Sequence, residues 1–462
     1  MSTQPITTQQ KAQAVNRSGR WYGTFAEIGA GQEVARWFFQ AGGASQTIAK
    51  TISAYDMAVS DAVYGLTERY VSRQRLQSML TYEYDQLVRR LDHARGKERT
   101  FFAFADTVAT RKDGGDGWMG IRFQTQPREA PSEILMHVRM LDKETFRQQE
   151  AISILGVNLV HGAFTLHDQP QKLLGTLLDS LGWERAEVDV IRFSGPAFAN
   201  VDNRLMALQL VQQDLTEAAM FTADGEAVQW AEVLYKKPVL VLRGSFCPFT
   251  STTQDVLERA HERFILEPEI QGEEPVVLAE MTLRHLTTGD VIDHKDFLSR
   301  ADTLQAMGRT VLVSRFRRAH RLAHYLGRYT DRPLGLAVGA SKLADILNEK
   351  HYNETEGGLL GGLGQLFKNP TRLYVYPHFD AATGQVITAE TFPVAPHLKH
   401  LFAFLLESRY IVGIEASDPA LLPVQRSDVV AKIAANDSDW ERLVPPAVAA
   451  VIKKDGLFGY KG

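Results

Sequence analysis

From about residue 157 onward, short apolar runs alternate with stretches whose apolar residues recur at helical spacing. That alternation predicts strands and helices in turn, and hence parallel sheets. The clearest case is Val239 to Leu242, too short for a helix and apolar throughout, which predicts a strand buried on both faces. It runs into a small-residue turn at Gly244-Ser245, and then into a helical pattern through Val256, Leu257, Ala260 and Phe264. A strand, a tight loop and a helix place the amino end of the helix beside the carboxyl end of the strand, where anions and nucleotides bind in open α/β sheets.

The same order is read twice. Val157 to Phe164 leads into a helix through Leu173, Leu174, Leu177, Leu178 and Leu181, and Val239 to Phe246 leads into the helix already described. In both, a Gly-small-Phe triplet closes the apolar run, at Gly162 and at Gly244. Each unit continues with a strand (Val188 to Phe193; Val276 to Met281), a helix (Leu205 to Gln213; Lys295 to Met307) and another strand (Ala218 to Phe221; Thr310 to Val313). The expected fold class is α/β: duplicated Rossmann-like parallel-sheet units with a helical N-terminal region. The expected divisions are a helical N-terminal region with a polar arm (1–98), a first α/β unit (99–235), a second α/β unit (236–415) and a C-terminal helical tail (416–462).

Upstream, residues 1–18 read as a polar arm and Trp21 to Arg95 as three helices. Phe101 to Val108, Met119 to Phe123 and Ile134 to Met140 read as strands, followed by a helix over Asp142 to Leu155. Two glycine-rich stretches here have a chemical and a structural reading. The run from Gly29 to Ala35 has the look of a dinucleotide turn, but close helix packing is the expectation. Asp113 to Gly117 offers carboxylates to a hard cation but lacks a regularly spaced third acid, so a hairpin turn is expected. Downstream, strands at Leu334 to Val338, Leu373 to Tyr376 and Tyr410 to Ile414 alternate with helices, with Ser427 and Asp437 as caps in the tail. The final Leu457 to Tyr460 is aromatic enough to dock.

Composition narrows the classes. The 462 residues, 44% hydrophobic, suffice for two or three cores. A net charge of −4 gives no general affinity for nucleic acid or an anionic membrane. The one cysteine, Cys247, excludes an intramolecular disulfide and a cysteine zinc cluster. Met1 to Arg20 has no apolar core, so it does not read as a signal peptide, and no window approaches the roughly 18–20 apolar residues of a membrane span. A cytoplasmic protein is expected, with no membrane partner and self-assembly left open.

Candidate chemistry gathers at strand ends. Gly244, Ser245, Phe246, Pro248 and Thr250 resemble the first signature of the nucleotidylyltransferase superfamily, which includes the nicotinate-mononucleotide and phosphopantetheine adenylyltransferases. The resemblance covers residues from about 238 to 340. It implies nucleotide binding, with ATP and Mg as the cofactors, a glycine that lets the backbone approach phosphates, and Thr250 and Thr253 at the phosphate-binding positions. The sequence departs from the signature at Thr252, where the family has Gly, and at Thr253, where it has His. The loss of a charged donor at a phosphoryl centre costs on the order of 2–4 kcal/mol of transition-state stabilisation. The second signature survives as Ser314 with Arg317 or Arg318.

The expected phosphate-binding residues are Arg243, Gly244, Ser245, Phe246, Thr250, Thr253, Ser314, Arg315, Arg317, Gly339, Ser341 and Lys342. Arg317, Arg321, His324 and Arg328 recur at helical spacing and read either as a clamp for anions or as a solvated stripe. Gly339-Ala-Ser341-Lys342 falls short of a P-loop. Asp290, Asp293, His294 and Asp296 read as a hydrated loop or cap in preference to a metal site. His161 and His167, bracketing the first Gly-Phe triplet, could replace the missing His of the sister unit. Cys247 is either an inert packer or, beside a helix amino end, a thiol of depressed pKa. Two functions are therefore carried forward: a nucleotide- or phosphometabolite-binding protein of nucleotidyltransferase type with an altered catalytic motif, and a non-catalytic Rossmann-like scaffold that assembles with itself or a partner.

Overall fold

In the computed structural model, Trp21–Ile28 forms a strand (β1) where a helix was expected, and from Gly23 onward every residue of it is buried. A strand covered on both faces shows no alternation, so its apolar spacing can imitate a helix. Gly23 is needed here, because a Cβ would fall 2.3 Å from the Phe102 carbonyl oxygen of the neighbouring strand. The structure describes residues 6–29, 33–112, 114–270, 272–288 and 291–462, and it divides into two compact units, 1–219 and 220–462. The centre of the Gly29 to Ala35 turn, Asp113 of the Gly/Asp run, and Asp290 lie outside the described residues.

The first unit is built on six strands. To β1 are added β2 (Ile48–Ile52), β3 (Thr100–Ala109), β4 (Gly115–Phe123), β5 (Ser132–Met140) and β6 (Ala186–Ser194), in the order β2-β1-β3-β4-β5-β6. Pairs β1/β2 and β1/β3 are parallel, and β3 to β6 continue antiparallel. The N-terminal region is therefore not purely helical, since it supplies two of the parallel strands. One face is covered by α1 (Thr8–Ser18), α2 (Glu33–Ala41) and a long helix, Thr145–Thr165, around Phe25, Phe102, Phe104, Met119 and Ile121. The opposite face receives the helix Arg73–Arg95.

The long helix corrects a second expectation. Val157 to Phe164, read as the first unit's Gly-tipped strand, lies inside it, and Ala151 to Val160 are buried without a break. A helix apolar on all sides looks like a buried strand in a short window. The α/β class with parallel strands in both units holds. The residue match between Gly162 and Gly244 does not, because one sits in a helix and the other in a loop.

The second unit carries a seven-stranded sheet. Its strands are β7 (Ala218–Phe221), which straddles the division, β8 (Val239–Arg243), β9 (Val276–Thr282), β10 (Thr310–Ser314), β11 (Leu334–Gly339), β12 (Thr371–Tyr376) and β13 (Ile411–Gly413). They lie in the order β13-β12-β11-β8-β9-β10-β7. The five pairings from β13 across to β10 are all parallel. Counted from β8, six strands follow the order 3-2-1-4-5-6, the doubly wound arrangement of Rossmann folds, whose ligands sit at the carboxyl ends where the winding reverses. That switch point lies between β8 and β11. Val239, Leu240 and Val241 are at most 1% exposed, and burying each such side chain contributes about 1.5–3 kcal/mol.

After β13 the chain returns through a turn at Pro419–Leu421 to the helices Arg426–Ala434 and Pro446–Asp455. Asp437 caps the short turn Ser438–Leu443, as expected; Ser427 does not cap, because the helix already begins at Arg426. The chain end docks through Leu457, which is buried, and Tyr460, which meets Trp440 edge-on. No helix among the described residues is long and apolar enough to cross a membrane.

Candidate anion-binding loop

Arg243 ends β8, and Glu280 is its register partner on β9. The guanidinium grips the carboxylate with two bonds, Nε to Oε2 at 2.6 Å and Nη2 to Oε1 at 2.9 Å. Ser314, closing β10, donates its hydroxyl to the same Oε1 at 2.5 Å. Glu280 and Ser314 are fully buried, so the three strand ends are joined by one charged network out of water. Three hydrogen bonds and one paired charge meet the buried carboxylate, which offsets the cost of taking it out of water. The Gly244 N–H extends the ladder to the Glu280 carbonyl at 3.1 Å.

Beyond Gly244 the chain turns sharply. Phe246 has φ 47°, in the left-handed region that side chains avoid. The turn is held from beneath, because Phe246 and Phe249 are buried and stack at 6.0 Å between ring centres. A Cβ on Gly244 would meet the Phe246 ring at 3.1 Å, so the glycine suits the bend. Thr250 then caps the helix Ser251–Phe264, accepting from the Thr253 N–H at 3.2 Å, while the two hydroxyls bond each other at 2.9 Å. Both threonines are thereby engaged in starting the helix.

Cations converge on Ser245 from elsewhere in the unit. Arg300, on the helix His294–Ala306, donates through Nη1 to the Ser245 carbonyl at 2.9 Å and to the His285 carbonyl at 2.8 Å. Its Nη2 meets Asp296 at 2.5 Å. Arg426, first residue of its helix, donates to the Ser245 hydroxyl. Burial lowers the pKa of His285 to about 4, and the nearby Arg243, Arg426 and Lys342 charges add to the effect against Glu280, so the ring is neutral at pH 7. Cys247 lies 3.9 Å from Asp296, and burial, with Asp296 adding to it, raises its pKa. The Arg300 and Arg426 charges oppose this shift, and its direction favours the inert packer over a thiol of depressed pKa.

The other expected residues divide. Gly339 closes β11 beside β8, so its loop and the Gly244 loop flank the switch point. Ser341 and Lys342 follow in the 3-10 turn Ala340–Lys342 and are exposed, with Lys342 reaching Asp345 at 3.6 Å. Arg315 and Arg317 lie exposed in the loop after Ser314. The helix there spans only Ala319–Leu326, so Arg317 and Arg328 fall outside it and no single helical face carries the basic stripe. His320 is buried against Tyr352 at 5.0 Å. Asp293 caps the helix beginning at His294, and Asp296 pairs with Arg300. His161 lies within the long helix of the first unit, so it and His167 do not bracket a loop.

Four residues at the loop were not singled out from sequence. Glu280 and His285 sit in or beside an ordinary strand, and Arg300 lies within an ordinary amphipathic helix. Arg426 is 181 positions from Ser245. No local spacing announces any of these meetings.

Fold and loop together define the second unit as a doubly wound α/β module with a cation-rich loop at its switch point. No family model and no curated protein matches the chain. Among solved structures, parts of it are remotely similar to competence-damaged protein (CinA) superfamily proteins. One, from Enterobacter cloacae, has a TM-score of 0.26 at 10% identity, over 36% of this chain and 96% of that one. A second, from Klebsiella pneumoniae, has a TM-score of 0.26 at 13% identity, over 34% and 98%. The competence/damage inducible protein CihA from Agrobacterium tumefaciens has a TM-score of 0.25 at 16% identity, over 35% and 97%.

Proposed function

We propose that the second unit binds a small phosphate-bearing molecule, a nucleotide among the candidates, in the crevice between the Gly244 loop and the Gly339 loop. The observation that carries this is the convergence of Arg300 and Arg426 on Ser245, beside Arg243, where the winding of a parallel sheet reverses. Fixed guanidinium groups suit phosphate because their planar donors match its oxygens in pairs. The exposed Arg315, Arg317 and Lys342 at neighbouring strand ends would draw an anion toward the crevice.

We place binding, and not nucleotidyl transfer, in this loop. Thr250 and Thr253 are engaged in capping the helix, and neither carries charge. If ATP with Mg is the ligand, Ser245 and the arginines around it would meet the phosphates.

Calorimetry of the full chain with ATP, ADP and pyrophosphate, with and without Mg, tests this. Saturable binding that weakens as salt is raised is expected. Absence of heat at millimolar concentrations of all three would leave the non-catalytic scaffold as the function of the fold.

A further inference from the structure

We infer that Arg426, carried in from the C-terminal segment, is the charge-bearing residue of the Gly244 loop's anion site, acting with the Ser245 hydroxyl on one phosphoryl group. This rests on the reading of the second unit as a phosphate binder and adds the residue that gives the loop its affinity.

Three other cations near the loop already have counter-charges. Arg243 is held in two bonds by Glu280, Arg300 has Asp296, and Lys342 has Asp345. Arg426 makes one hydrogen bond, to a neutral hydroxyl, and among the described residues no carboxylate pairs with it. Its neighbour in charge is Arg300, which is bound to the carbonyl of the same serine. An anion between the two would relieve their repulsion.

The donors suit such a guest. A guanidinium has five N–H groups, of which Arg426 uses one on Ser245. Accepting that bond leaves the Ser245 O–H able to donate onward. Arg300 is 9% exposed, and its Nε is shut off from water. With its Nη groups spent on the Ser245 and His285 carbonyls and on Asp296, Arg300 brings charge to the site and not a free donor, so the donors are those of Arg426 and Ser245.

The segment is held in place without the Arg426–Ser245 bond. The Ser417 N–H donates to Asp255 Oδ2 at 3.0 Å, and the Thr252 hydroxyl donates to the Leu421 carbonyl at 3.0 Å. Asp255 also receives the Tyr376 hydroxyl at 2.6 Å. Val429 and Ile433, one turn and two turns on, are fully buried. Arg426 can therefore be changed without releasing the helix that presents it.

The test uses the full chain, wild type, Arg426→Gln and Arg426→Lys, titrated by calorimetry with pyrophosphate, ATP and adenosine, with urea midpoints measured on each variant. The expected result is a loss of at least about tenfold in affinity for pyrophosphate and ATP in Arg426→Gln at an unchanged urea midpoint. Partial recovery is expected in Arg426→Lys, which restores the charge but not the fork. Equal pyrophosphate and ATP affinities in Arg426→Gln and wild type would overturn the assignment while leaving the binding function standing. So would an equal loss for adenosine, which has no phosphate. Failure of the wild type to bind any of the three removes the binding function itself, and this assignment with it.

Discussion

Glu27 on β1 and Asp106 on β3 are register partners across two parallel strands, and each is 1% exposed. Glu27 accepts the Ala35 N–H at 3.0 Å, at the start of α2, while its Oε2 and the Asp106 Oδ2 have no partner among the described residues. Burial raises Glu27 from 4.5 to about 8, against the helix N–H bonds that oppose it, and burial together with Glu27 raises Asp106 well above the carboxylate range. Burial thus favours keeping a proton on the pair at neutral pH.

The sign follows from linkage. The folded pair keeps a proton that the unfolded chain gives up, so the stability of the first unit is complete below pH 4.5 and is lost as the pH rises through about 8. The expected slope approaches about 1.4 kcal/mol per pH unit for one proton. Urea unfolding at a series of pH values should show it in wild type, and the double variant Glu27→Gln/Asp106→Asn should flatten it. An unchanged slope in that variant would mean that the pair holds no proton.

The second unit should respond oppositely through His285, whose pKa of about 4 lies below its ordinary 6.5. A ring kept neutral by folding contributes stability above pH 6.5 that is lost as the pH falls through 4. The imidazole resonance of His285 in proton NMR should titrate near 4, and its midpoint should rise in Arg426→Gln, because that guanidinium is one of the charges lowering it.

Removing Arg243 should cost far more than removing an exposed arginine. Arg243→Gln leaves Glu280, fully buried, with only the Ser314 hydroxyl, and breaking such a pair costs about 3–5 kcal/mol. Glu280→Gln on the same background should recover much of the loss. A double-mutant cycle in urea gives the coupling directly, and additive losses would show that the network is not one unit.

Thr250→Ala removes the hydroxyl that starts the helix Ser251–Phe264. A loss of about 0.5–2 kcal/mol in unfolding free energy is expected. Thr253→Ala keeps its backbone N–H and should cost less.

Parallel strands of the second unit were legible because buried strands are short, apolar and bounded by small residues, as at Val239 to Gly244 and Leu334 to Gly339. The first unit was harder. Trp21–Ile28 and Val157 to Phe164 are both covered on all sides, so neither shows the periodicity that separates strand from helix, and each was read as the other. At the loop, the glycine and Ser245 could be read from sequence because a turn at a strand end has local grammar. Glu280, Arg300 and Arg426 could not, because what makes them matter is register and tertiary approach.

Because Ser245 meets its second guanidinium partner only through a segment 181 positions later in the chain, the loop cannot acquire its full set of contacts when its own strand and helix first fold. During synthesis the sheet can assemble strand by strand, yet this corner stays incomplete until the helix beginning at Arg426 has emerged from the ribosome and docked. Any affinity that depends on Arg426 is thereby withheld from nascent chains that have not yet reached that segment.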